Sequence, residues 1–300
     1  MNMPSPYTTL ISPEELMALQ AAAARLMVFD CSFDLANPAA GQEQYHQAHI
    51  PGAVYVHLEH DLSDEGLVAP DGTRQPHPDA ASGGRHPLPS RERFAIWLSQ
   101  VGFTNDMQAV VYDRQGANFC GRLWWMLKWA GHDAVALLDG GLSAWQAAGG
   151  AVRGGDEPTR FQSNFSLGQS LRRLVKTAQV QSGLGSSAQT LVDARAPARY
   201  RGEVEPLDPV AGHIPGARNR PFTQNIGPDG RFKSARELRA EFDRLLDGRP
   251  ATSVVHQCGS GVSAIPNLIA MELAGFGPTA LYAGSWSEWC RDPSRPVEKG

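Results

Sequence analysis

Three hundred residues allow about two domains, and 42 % hydrophobic with 19 % charged residues is the composition of an ordinary globular protein. A formal charge of −4 and a pI near 6.1 remove the electrostatic case for nucleic acid or an anionic membrane surface as partner. Met1 to Leu10 lacks the pattern of an export signal, no run of about 18 apolar residues occurs, and the cysteines at 31, 120, 258 and 290 form no C-x-x-C pair. The chain therefore reads as cytoplasmic, with reduced thiols, no structural metal and no cofactor.

Ser12-Pro13-Glu14-Glu15 is a capping box with proline at the first helical position, which predicts a helix continuing through Leu16 to Leu26. Met27 to Asp30 reads as a strand. After a polar loop comes His49-Ile50-Pro51-Gly52-Ala53, then the alternation of Val54 and Val56. Cys120 to Ala130 reads as a helix whose Trp124, Trp125 and Trp129 belong to a core. Gly149 to Gly168 has the glycine and proline content of a linker, and Leu171 to Gln181 begins a new set of helices. Ser234-Ala235-Arg236-Glu237 is a second capping box, for a helix reaching Leu246.

The second half repeats the first. His213 to Ala217 matches His49 to Ala53 at an offset of 164, and Leu191-Val192-Asp193 matches Val28-Phe29-Asp30 one residue out of that register. Val254-Val255-His256 then matches Val110-Val111-Tyr112, and Ala283 to Trp289 matches Asp139 to Trp145, both at 144. The chain is a tandem duplication. The fall in offset gives the first copy an insertion of about twenty residues, roughly Asp64 to Pro89, rich in Gly, Pro and His. Each copy alternates strands with helical stretches, so the expected fold is α/β, each half a mostly parallel sheet with helices on both faces.

The stretch that carries chemistry is Cys258-Gly259-Ser260-Gly261-Val262-Ser263-Ala264, between the strand signal of Val254-Val255 and a helix signal from Ile265. Ligands of parallel sheets bind beyond the strands' carboxyl ends, where Cys258 lies. Two glycines let the backbone curl so that N–H groups face inward, and the following helix adds its positive end, a setting that favours a thiolate. The bland alternative is an inert packed thiol. Aligning Gly116 with Gly261 sets Asp113 opposite Cys258, so one copy has the nucleophile and the other does not.

Paired His-Ile-Pro-Gly-Ala motifs, Asp113 opposite Cys258, the Cys258 to Ala264 loop and Tyr282-Ala-Gly-Ser-Trp-Ser-Glu-Trp289 together resemble the tandem-domain rhodanese-type sulfurtransferases, over nearly the whole chain. The Cys-Gly-Ser-Gly-Val loop resembles that of the 3-mercaptopyruvate enzymes, whereas the thiosulfate enzymes carry cations after the cysteine. The resemblance implies two tandem rhodanese-like domains: residues 1–150, non-catalytic, with Asp113 in place of Cys; a linker, 151–168; and a catalytic domain, 169–300. It implies a sulfur relay in which the Cys258 thiolate takes sulfur from a small-molecule donor as a persulfide. A thiol, either a small one or a thioredoxin-like protein, or cyanide then collects it. Gly259, Gly261, Val262 and Ser263 would surround the donor, with Ser260 and His86 of the insertion supplying a proton to the leaving group. The family's acidic third member aligns with His60, next to Asp61. Arg199 matches one arginine that holds the donor's carboxylate; where the family has a second, this chain has Leu207, and Arg195, Arg201, Arg220 and Arg114 are the replacements considered. Alternatives are a thiosulfate enzyme using the same Cys258, a cysteine phosphatase, for which residues 259–265 supply no arginine, and a sulfur-carrying or binding module without turnover.

Overall fold

In the computed structural model of the chain, residues 5–68 and 74–300 are described; positions 69–73 of the insertion and 1–4 of the N-terminal stretch lie outside the described residues. The chain divides into two compact units. One comprises Met1–Leu62, Ser90–Leu171 and Pro228–Phe232, the other Ser63–Pro89, Arg172–Gly227 and Lys233–Gly300. The insertion thus belongs to the second unit although it interrupts the first copy of the repeat.

The strands are β1 (Leu10–Ile11), β2 (Leu26–Asp30), β3 (Val54–Tyr55), β4 (Leu67–Val68), β5 (Arg74–Gln75), β6 (Gln108–Tyr112), β7 (Val135–Leu138), β8 (Arg173–Leu174), β9 (Thr190–Asp193), β10 (Arg218–Asn219), β11 (Val254–Gln257) and β12 (Ala280–Leu281). The first unit holds a sheet ordered β1-β7-β6-β2-β3 and the second a sheet ordered β8-β12-β11-β9-β10, every pair parallel; β4 and β5 form an antiparallel ribbon in the insertion. The shared strand order is the duplication seen in space. The central strands β6 and β11 are buried almost throughout, so neither alternates apolar with exposed polar residues; β6 carries the apolar run Ala109 to Tyr112, and β11 follows Val254-Val255 with buried His256 and Gln257.

Ser12 accepts the Glu15 N–H, and Glu15 caps the Ser12 N–H in return. The helix they start ends at Ala21, not at Leu26. Ala23 turns to a positive φ of 49°, and Leu26 is already paired with Gln108 in the sheet, where burial outweighs the helix preference of the alanines. The second capping box behaves as expected, Ser234 heading Ala235–Leu246. Within Cys120–Trp129 every side chain is buried, Trp124 and Trp125 completely.

The repeated His-Ile-Pro-Gly-Ala motif is a structural latch. His49 bonds the Tyr45 carbonyl and stacks on that ring at 3.9 Å; His213 bonds the Tyr200 carbonyl and stacks at 3.8 Å. Each histidine forms an isolated antiparallel bridge to a late segment of its own unit, His49 to Arg153 and His213 to Glu298. The glycine N–H of each motif is taken by a carboxylate, Glu157 for Gly52 and Glu298 for Gly216.

His256 on β11 has no exposed surface, and neither ring nitrogen has a hydrogen-bond partner among the described residues. Burial, and then the charge of Arg220, lower its pKa from 6.5 to about 3. The folded chain therefore refuses a proton that the unfolded chain accepts. The stability contributed by neutral His256 is complete above about pH 6.5 and is lost as pH falls towards 3, at roughly 1 kcal/mol per pH unit. Urea midpoints should fall between pH 7 and pH 5, and His256→Leu should flatten that slope; an equal slope in both proteins would exclude His256 as its source.

Candidate active site

β11 brings the chain to Cys258, which is 2 % exposed, and the loop runs on into the helix Ile265–Leu273. Gly261 has φ +76°, and a Cβ there would lie 2.2 Å from the Ala283 carbonyl oxygen, so both backbone and space require glycine. The loop's own backbone is held from the C-terminal side. Cys258 N–H donates to Ser285 Oγ at 3.1 Å, and that hydroxyl donates to the Tyr282 carbonyl at 2.9 Å. Trp286 N–H reaches the Cys258 carbonyl at 3.0 Å and Ser287 N–H the Gly259 carbonyl at 2.9 Å. The Gly-Ser-Trp-Ser-Glu-Trp stretch is thus the clasp of the cysteine loop.

The same clasp receives the insertion. Gly83 N–H donates to Glu288 Oε2 at 3.1 Å and Arg85 N–H to Ser287 Oγ at 2.9 Å. Gly84 between them has φ +92° and no room for a side chain, a Cβ there lying 2.6 Å from the Gly284 oxygen. Held in this way, His86, 2 % exposed, places Nδ1 2.7 Å from Ser260 Oγ. Ser63–Pro89 and the cysteine loop lie in the same unit, so sequence positions 174 apart make a direct hydrogen bond.

Arg199 stands beside the loop, and with it Arg85, which the sequence reading passed over. A Cβ on Gly259 would sit 3.2 Å from Arg85 Nη2 and 3.5 Å from Arg199 Nη1. Asp208 joins the two guanidiniums from behind, Oδ1 to Arg85 Nη1 at 2.7 Å and Oδ2 to Arg199 Nη2 at 3.3 Å. Glu205 takes Arg199 at 2.7 Å and Arg195 at 3.5 Å. Neither Nε of Arg85 nor that of Arg199 has a hydrogen-bond partner among the described residues.

The other cations considered are committed elsewhere. Burial opposes the charge of Arg195, but Asp193, Glu205 and Cys258 together outweigh it and raise the pKa, and the guanidinium lies 4.9 Å from the Trp286 ring centre. Arg201 pairs with Glu203, Arg220 with Glu241, and Arg114 with Asp30 in the first unit. Leu207 is half-exposed and contributes its N–H to Glu205. Next to His60, the position aligned with the family's acid, Asp61 accepts from Trp97 Nε1 at 2.9 Å and the His57 N–H at 2.7 Å. Val262 is buried and Ser263 partly exposed. The adjacency of Arg85 to His86 was the available signal for the second arginine; the sequence gives none for Asp208, because only the folded loop turns it inward.

The first unit shows what this kind of loop does with an anion. The Asp113 carboxylate accepts N–H bonds from Gln115, Ala117, Phe119 and Cys120 at 2.8–3.0 Å. Four amides converge on one buried charge. The thiols of Cys31 and Cys120 nearby are pushed well up by burial, and further by carboxylates including Asp113, which keeps them protonated. All four cysteines are free and buried.

The model of the rhodanese-like domain matches the chain twice, over residues 12–148 and 176–292. A protein of Pseudomonas aeruginosa named "Probable 3-mercaptopyruvate sulfurtransferase" is 46 % identical over 97 % of this chain and 100 % of its own length. The thiosulfate sulfurtransferase of Cricetulus griseus is 35 % identical over 92 % of this chain and 89 % of its own. Among solved structures, the 3-mercaptopyruvate sulfurtransferase from Leishmania major superposes with a TM-score of 0.77 at 28 % identity, covering 97 % of this chain and 77 % of that one. SseA from Escherichia coli, titled as a 3-mercaptopyruvate sulfotransferase, gives 0.73 at 28 % identity, covering 94 % of this chain and all of that one. The chain belongs to the rhodanese family and is a sulfurtransferase with two rhodanese-like domains.

Proposed function

We propose that the sulfur donor is 3-mercaptopyruvate and that Cys258 carries the sulfur as a persulfide. The observation that carries this reading is the 2.7 Å hydrogen bond between His86 and Ser260 in the cysteine loop. When the Cys258 thiolate attacks the donor's sulfur, a sulfur–sulfur bond forms and the carbon–sulfur bond breaks. The electron pair leaves on carbon as the enolate of pyruvate, which requires a proton; a serine hydroxyl backed by a histidine supplies one. Thiosulfate expels sulfite, which needs none. An acceptor thiolate, of a small thiol or a thioredoxin-like protein, or cyanide then attacks the outer sulfur and returns Cys258 as thiolate. The amide cradle around Asp113 supports the idea that the matching loop stabilises negative sulfur.

In this reading the work is divided along the repeat: the catalytic domain is 169–300, and 1–150, with Asp113 in the nucleophile's place, keeps the fold and lends the insertion, with 151–168 as linker. The four free thiols support a reducing compartment, the cytoplasm. Among the described residues no helix is long and apolar enough to cross a membrane. Steady-state rates with both donors and cyanide test the choice; a large preference for thiosulfate would favour the second reading, to which the two arginines over Gly259 also lend themselves.

The clamp makes its own prediction. Arg85 and Arg199 together supply the cations for the substrate carboxylate, so Arg85→Ala should raise KM for 3-mercaptopyruvate about 10- to 100-fold, the loss of one charged hydrogen bond. Leu207→Arg, by contrast, should leave KM nearly unchanged because the place is filled. A large improvement in Leu207→Arg would show that it is not.

A further inference from the structure

We propose that Asp208 sets the charge selectivity of the donor site, admitting a singly charged donor and disfavouring a doubly charged one; this rests on the reading of 3-mercaptopyruvate as donor. Asp208 is partly exposed through its backbone but its side chain is only 4 % exposed, and each carboxylate oxygen holds one of the two arginines that meet over Gly259. Two guanidiniums converging on one point repel each other, and the shared carboxylate offsets that repulsion. It occupies Arg85 Nη1 and Arg199 Nη2, while Arg85 Nη2 and Arg199 Nη1, the atoms nearest Gly259, have no protein partner among the described residues.

The charges around them cancel. Arg85, Arg199 and Arg195 face Asp208, Glu205 and Asp193, three positive groups against three negative ones joined in one chain of ion pairs. Residues 259–263 add no charge. What remains at Gly259 is a set of directed N–H donors with little net field behind them. Directed donors suffice for one carboxylate, since short charge-assisted hydrogen bonds depend on geometry. The second charge of thiosulfate gains from net positive potential, which the carboxylates remove. Asp208 is a positioning and specificity residue, acting on the donor through the two arginines.

The test is Asp208→Asn in the full-length chain, a change that keeps shape and one acceptor oxygen while removing the charge. Values of kcat/KM for 3-mercaptopyruvate and thiosulfate, with cyanide as acceptor at low ionic strength, should shift in ratio about tenfold towards thiosulfate. The shift should shrink in high salt, and Asp208→Glu should restore the wild-type ratio. Glu205→Gln, in the same network, should move the ratio in the same direction and serves if Asp208→Asn does not fold. An unchanged ratio, or a parallel loss with both donors, would overturn the proposal and leave Asp208 as a brace. A wild-type enzyme that prefers thiosulfate would overturn the donor assignment, while the change in ratio on substitution would still be read separately.

Discussion

Cys258→Ser should abolish sulfur transfer from either donor to either acceptor. Intact mass spectrometry of the wild type after incubation with donor should show an added mass of about 32 Da, one sulfur, and the serine variant none. The physical basis is the difference between the cysteines. Cys31, Cys120 and Cys290 have thiols pushed up by burial, which withholds the thiolate that attack requires. Cys258 sits at the carboxyl end of β11 in a loop of the kind that, in the first unit, surrounds a carboxylate with four amides. Cys31→Ser, Cys120→Ser and Cys290→Ser should each retain the adduct. An adduct that persists in Cys258→Ser would move the nucleophile elsewhere, and the absence of any adduct from either donor would favour a binding module.

The second large effect distinguishes the donors. Ser260→Ala and His86→Gln should each lower kcat for 3-mercaptopyruvate about 10²- to 10⁴-fold, the usual contribution of a positioned proton donor. The double variant should lose little more than either single one, because hydroxyl and imidazole act through one hydrogen bond. With thiosulfate the same variants should change kcat by no more than about threefold, since sulfite departs as a stable anion without a proton. An equal loss with both donors would mean that the pair supports the loop rather than the leaving group. The two readouts are independent of the Cys258 experiment, for the adduct can still form slowly when proton delivery fails.

Much of this architecture is legible in the chain. The repeat gives two α/β halves, and the parallel sheets of identical order follow from it. The strand end at Cys258 is visible because Val254-Val255 gives a short apolar signal just before a glycine-rich loop. Less legible is whatever depends on distant parts of the chain. The alanine-rich first helix stops at Ala21 because Leu26 is claimed by a strand partner 82 positions away, which no local propensity registers. His86 can be singled out as a histidine in an insertion; that it meets Ser260 depends on Gly83 and Arg85 being held by Glu288 and Ser287. Arg85 was missed because a second cation was sought near Leu207, where the alignment places it, whereas the fold brings this arginine to Gly259 from the other copy's loop. The fourfold amide bonding of Asp113 is likewise invisible in an alignment that shows only a missing cysteine.

The assignment of Ser63–Pro89 to the second unit and of Pro228–Phe232 to the first is a reciprocal exchange of segments between the halves of a duplicated chain. The boundaries drawn by ancestry and those drawn by packing therefore differ. A fragment cut at the repeat boundary, residues 169–300, would retain Cys258 and its clasp but would be missing Arg85 beside Gly259 and His86, the hydrogen-bond partner of Ser260, the two groups to which the proposed function gives carboxylate binding and proton delivery. Each copy of the repeat thereby lends a segment to the unit built mainly from the other. A gene encoding only the copy with Cys258 would encode a unit without its Ser63–Pro89 segment, which gives a physical reason for a lineage to retain both copies.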